Sequence, residues 1–311
     1  MKQFALICAV VGIICVSGET SLAAEVHDIV FDDTRVFPES LDVSADGTIY
    51  TGSWKGIVYR ALPGQDAKPW IRPDDKNGIL TILGVAVDAA RGQLWVCSVP
   101  AKDRDPPAPG TSTLLSFDLK SGELKLSLPL PAPDSVCNDI AIAADDTAYM
   151  SETANGRIFR IRPKVDKLEL FAQDDALKGV DGIVFSSSGQ LYVNLVTTGL
   201  LFRVGIDKDG KYAGLTKITP SRSLEGPDGF RLIKGDSFLM TENKAGTIDR
   251  VIIKGDQATV ETLRGGLMSP TSAVIRQGVV YGVERKIEYV RSLEYKFRDP
   301  GTFKVMAFPL P

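Results

Sequence analysis

One unit recurs along this chain: a polar or small residue, a strand, a tight turn, a returning strand, a small-residue loop and a third strand. Aligned on the residue before each first strand, the units start at Pro38, Leu83, Cys137, Val180, Pro227 and Pro270, at intervals of roughly 43 to 54 residues. That spacing suits four-stranded blades, and no stretch carries convincing helical periodicity. The expectation is an all-β chain, a six-bladed β-propeller with four-stranded blades, in which residues 25–311 form a single domain. Apolar early residues 26–31 lie outside the repeat and are expected to complete the last blade, which otherwise runs out through 287–290 and 302–308.

The turns supply the local signal. Asp46-Gly47 sits between apolar runs in unit one, Ala143-Ala144-Asp145-Asp146 does the same in unit three, and Lys234-Gly235-Asp236 in unit five. Unit two diverges most, with a long proline-rich loop over 103–110 that reads as a lid or as a stiffened connection.

Residues 1–24 have the form of a signal peptide: Lys2, an apolar run from Phe4 to Val16, and Ser21-Leu22-Ala23 before the cleavage point. The mature protein is therefore expected to be exported, periplasmic or secreted, with no membrane association after cleavage. Cys8 and Cys15 leave with the signal. Cys97 and Cys137 remain, either as a disulfide permitted by an oxidising compartment or as two separate buried thiols. A formal net charge of −3 offers no footprint for nucleic acid, so a small-molecule partner is expected, with the oligomeric state left open.

If all first strands line one channel in the same direction, their leading residues form a ring at one mouth. That ring reads Glu39, Gly84, Asn138, Asp181, Asp228 and Thr271. Three carboxylates and an amide around a narrow channel repel one another unless a cation lies among them, and all-oxygen donors suit Ca2+ first, then Mg2+ or Mn2+. Zn2+ is least suited, because His27 is the only histidine and the mature cysteines lack metal-motif spacing. Taken singly, each Asp-Gly or Asn-Asp pair is an ordinary turn signal; the common phase of four oxygen side chains is what favours a site. The loops after the second strands surround the mouth with Ser53 to Lys55, Glu152 to Asn155, Asn194, Glu242 to Lys244 and Glu284-Arg285. Glu152 is expected to contact substrate, against the plainer reading of Glu152, Glu242 and Glu284 as solvated loop carboxylates.

Glu39, Asn138-Asp139, Asp181-Gly182 and Pro227-Asp228-Gly229 together resemble the regucalcin and gluconolactonase (senescence marker protein) family of six-bladed β-propellers. The resemblance implies a divalent metal, often calcium, held by Glu39, Asp181 and Asp228, with Asn138 beside it helping to bind substrate. It also implies that Asp228 is the acid/base of lactone hydrolysis. Two positions depart from the family pattern: Asp181 stands where asparagine is usual, and Val136 where some sugar-lactone members have arginine. The function expected is metal-assisted hydrolysis of a lactone or related ester. The alternative is a non-enzymatic, metal-stabilised propeller that binds a ligand or protein, and a strictosidine-synthase-like propeller is a third reading on the same scaffold.

Overall fold

The computed structural model describes residues 26–103 and 107–311, so the expected signal peptide lies outside the described residues. The described residues are all-β apart from one helical turn at Glu288–Arg291 and a short 3-10 turn at Asp175–Leu177. Strands run in antiparallel meanders of four. Unit three shows the pattern, with Cys137–Ile142, Ala148–Glu152, Arg157–Ile161 and Glu169–Gln173 following one another edge to edge. Its first turn is closed by local chemistry: Asp145 Oδ1 accepts the Thr147 N–H at 3.0 Å, and Asp146 takes a left-handed φ of 65°.

Four of the meanders are separate four-stranded sheets, whereas units four and five join into one sheet of eight strands. The join lies at their outer edges, where Tyr212–Pro220 and Gln257–Arg264 run parallel with Thr219 opposite Gln257 and Pro220 opposite Ala258. These outer strands have 9 and 8 residues, against 4 in Lys68–Ile71 and 5 in Glu169–Gln173, so their ends overhang and meet.

The first strands, Pro38–Val43, Thr81–Asp88, Cys137–Ile142, Val180–Phe185, Pro227–Lys234 and Pro270–Arg276, neighbour one another in a closed circuit. The core is correspondingly divided, with one apolar cluster between each pair of successive sheets. Trp95, Met150 and Phe159 fill the space between units two and three, and Phe31, Phe37, Val283 and Phe303 that between six and one. Each sheet thus buries both faces, and burial of each large side chain contributes roughly 1.5–3 kcal/mol.

The early strand completes the last sheet as expected: Ile29 pairs with Val305 and Val30 with Lys304. Residues 287–290 do not form a strand. The third place in that sheet belongs to Lys304–Pro309 and the fourth to Ile29–Val30, which leaves no edge for them, and the chain turns instead into the helix Glu288–Arg291.

Close approach of the first strands sets two residue choices. A side chain at Gly84 would meet the Asn138 carbonyl oxygen at 2.1 Å, and one at Gly182 the Asp228 carbonyl oxygen at 2.3 Å. The glycine in Asp181-Gly182 is therefore required by packing between neighbouring strands, beyond any turn preference. Cys97 and Cys137 form a disulfide with Cα atoms 5.2 Å apart, which decides between the two readings of these residues and ties unit two to unit three. Among the described residues no helix is long and apolar enough to cross a membrane.

Candidate active site at the channel mouth

Two repeated backbone devices build the mouth. In four units the residue two positions before the ring is left-handed: Phe37 (φ 48°), Gly179 (88°), Gly226 (66°) and Ser269 (48°). Their carbonyls accept the N–H of the residue that follows the second strand, at 2.9 Å from Trp54, 2.9 Å from Val196, 2.8 Å from Asn243 and 2.9 Å from Arg285. Val136 accepts from Thr153 in the same way at 3.0 Å. A second ring, Trp54, Thr153, Val196, Asn243 and Arg285, is thereby set above the first.

The other device is a carboxylate latch. Glu152 Oε1 accepts the Val136 N–H at 3.0 Å, Glu284 Oε1 the Met268 N–H at 2.6 Å, and Glu242 Oε2 the Glu225 N–H. Each holds the turn that delivers a ring residue. Glu152 is fully buried, and its Oε2 is bonded to Arg157 Nε at 2.7 Å. The expected substrate contact at Glu152 is corrected: both carboxylate oxygens are engaged internally, and the residue positions the backbone before Asn138.

The ring residues are brought together. Glu39, Asn138, Asp181 and Asp228 line both an outer cavity of about 730 Å³ and a small inner space of about 10 Å³. Below them Arg231 closes the channel through a two-pronged bond to Asp139, at 2.6 and 2.7 Å. Asn138 Nδ2 donates to Asp181 Oδ2 at 2.9 Å and to Thr153 Oγ1 at 2.8 Å. Asn243 Nδ2 donates to Asp228 Oδ2 at 2.9 Å, and Arg285 Nη1 to Glu39 Oε1 at 2.8 Å. Backbone atoms are also fixed: Ser151 Oγ donates to the Asp181 carbonyl at 2.6 Å, and Asn194 bridges the Asp228 carbonyl (2.7 Å) and the Gly182 N–H (3.0 Å).

Electrostatics set these three acids apart from the surface carboxylates. Burial pushes the Asp181 carboxyl up to about 8, reinforced by the charges of Glu39 and Asp139. Burial raises Asp228 well above the usual carboxylate range, with Asp181 and Glu39 adding to it, and burial raises Glu39 despite Arg285. One guanidinium does not balance three buried carboxylates, so their full ionisation calls for a further cation among them.

The donors fit such an ion. They are hard oxygens, Glu39 Oε2 is buried without a hydrogen-bond partner, and an inner space of about 10 Å³ is close to that of a single water-sized sphere. Among the described residues no three acidic, histidine or cysteine side chains are drawn as close together as ion binding demands. Glu39 is turned to Arg285, so loading the site requires Glu39 to exchange a guanidinium for a metal.

Aligning the residue after each second strand, as was done for the residue before each first strand, gives Asn243 and Arg285 the same phase as Trp54. That signal singles out the two residues that bond to Asp228 and Glu39; the sequence placed both at the mouth but gave neither a role.

The architecture has known counterparts. A putative gluconolactonase structure superimposes with a TM-score of 0.66 at 14% identity, covering 92% of this chain and 93% of that one. This chain shares the fold of solved gluconolactonases. A gluconolactonase from Xanthomonas campestris gives 0.64 at 15% identity over 93% of this chain and 90% of its own. Virginiamycin B lyase from Staphylococcus aureus, in a catalytically inactive form with quinupristin, gives 0.58 at 13% identity over 84% and 96%. Residues 28–61, which include Glu39, match the family described as strictosidine synthase-like, N-terminal. Curated protein sequences give no match.

Proposed function

We propose that this chain is an exported six-bladed β-propeller that hydrolyses a lactone or related ester at the channel mouth, with a divalent cation, calcium by donor type, resident on Glu39, Asp181 and Asp228. The observation that carries the reading is the convergence of three buried, mutually repelling carboxylates on one mouth that opens to a cavity of about 730 Å³. The shared fold with gluconolactonases and the closed circuit of six first strands support it. The buried disulfide accords with export.

When bound, the cation supplies Lewis acidity toward the ester carbonyl and charge compensation for the acids around it. The chain's own residues do the rest. Asn138, whose two amide hydrogens are committed to Asp181 and Thr153, keeps its carbonyl oxygen as an acceptor for a substrate hydroxyl. Asp228, steadied by Asn243 through one oxygen, takes a proton from the attacking water as its oxygen bonds to the carbonyl carbon. The ring C–O bond then breaks, and Asp228 returns the proton to the departing alkoxide, leaving a hydroxy acid. Leu83, Val99, Val136 and Val196 wall the cavity and limit access of bulk water.

The test is hydrolysis of a lactone and ester panel by purified protein before chelation, after it, and after calcium is restored. Turnover is expected to vanish and return, and Asp228→Ala is expected to fold with a loss of 100-fold or more in kcat, on the order of an essential acid/base. Turnover that survives complete metal removal would overturn the reading.

A further inference from the structure

Beside the acidic mouth lies a second cavity of about 760 Å³, between residues 34–37, Trp54, Lys102 and the segment 289–297. Its chemistry is the reverse of the first. Arg35, Lys102 and Lys296 line it, and among the described residues none of the three makes an ion pair. Lys55 is neutralised by Asp33 at 2.9 Å, and the one acid in the lining, Asp103, is taken by Arg291 at 2.6 Å. Among the described residues these three cations have no carboxylate partner, and Arg35 is held by the Tyr289 carbonyl, to which its Nη2 donates at 3.2 Å.

Aromatic surface accompanies the charge. Phe297 is 89% exposed at the rim, Phe37 lies beneath the Arg35 guanidinium at 5.2 Å, and Trp54 lies beneath Arg291 at the same distance. Trp54 lines both cavities and is 6% exposed, and its indole N–H is buried without an acceptor. An unsatisfied buried donor, unpaired cations and an uncovered aromatic face together describe a ligand with a flat apolar body and an acceptor-rich negative group.

We propose that this cavity is a binding site for a small aromatic or otherwise apolar organic anion, adjoining the acidic mouth across a shared wall of Trp54, Lys102 and Asp103. The apolar body covers Phe297, and the anionic group is met by Lys102, Lys296 and Arg35. It stands independently of the hydrolytic reading, because it uses none of the ring carboxylates.

The test uses 8-anilinonaphthalene-1-sulfonate and its uncharged counterpart N-phenyl-1-naphthylamine, titrated calorimetrically and by tryptophan fluorescence into calcium-loaded full-length protein. One equivalent of the sulfonate is expected to bind, about tenfold or more tighter than the uncharged compound, and to weaken as salt screens the site. The double variant Lys102→Gln/Lys296→Gln, at two exposed positions, is expected to weaken it about tenfold. Asp228→Ala is expected to leave sulfonate affinity unchanged. Equal affinity for the two probes, indifference to the lysine substitutions, or loss of binding in Asp228→Ala would each overturn the proposal.

Discussion

Asp181 and Glu152 are both buried carboxylates of the mouth, yet substitution acts on them in opposite directions. In metal-free protein the Asp181 carboxyl holds its proton up to about 8, whereas in the unfolded chain it ionises near its ordinary value of 3.8. Folding therefore retains a proton that the unfolded state releases, and stability falls as pH rises between those values, levelling off above 8. Asp181→Asn removes the penalty. Metal-free Asp181→Asn is expected to melt roughly 5 °C above the parent at pH 8 and to coincide with it near pH 4, measured by thermal scans in chelator. Calcium should raise the melting temperature of both proteins, the parent by more, because the asparagine oxygen still donates to the ion but brings no charge. Glu152 loses by substitution, because Arg157 and the N–H groups of Val136 and Ala154 depend on it. Glu152→Ala is expected to cost about 3–5 kcal/mol in urea unfolding, with KM unchanged in whatever fraction folds. A rise in KM without loss of stability would return Glu152 to the role of substrate contact.

At the scale of strands, the Cys97–Cys137 bond joins the second strand of unit two, Gln93–Val99, to the first strand of unit three one residue before Asn138. Cys97→Ser is expected to lose about 2–4 kcal/mol, read from the urea midpoint, and to weaken calcium binding because Asn138 and its partner Asp181 are less firmly held. How far the elements were legible follows from the range of the forces involved. Asp46-Gly47 and Asp145-Asp146 announce their turns because the Asp side chain caps the backbone two residues on. The convergence of Glu39, Asn138, Asp181 and Asp228 at one mouth was legible because one phase repeated places them equivalently. The Glu39–Arg285 pair was not, since its partners are 246 residues apart and meet only once the circuit closes. The latch role of Glu152 was hidden too, because a strand-end glutamate reads alike whether it faces solvent or caps a neighbouring turn. Residues 287–290 misled because their apolar pattern is compatible with a strand, and only the occupancy of the last sheet excludes one.

The whole molecule is held by contacts between neighbours around a circuit, and its weakest closure is the one the chain makes with its own early segment. Ile29 and Val30 supply just two residue pairs to Lys304–Pro309, while Phe31 inserts into the cluster that joins units six and one. Removing residues 26–31 is expected to lower the melting temperature by roughly 10 °C in a single cooperative transition, with all six units lost together. Independent melting of units one and six would show that the remaining sheets do not need the closure. The pairing of Ile29 with Val305 also fixes an order of events. Glu39 comes from unit one and Arg285 from unit six, so a chain still being synthesised has neither a neutralised Glu39 nor a closed ring of carboxylates. On the proposed calcium reading, tight ion binding is expected only once the last strand is in place, and its appearance in refolding experiments would time completion of the circle.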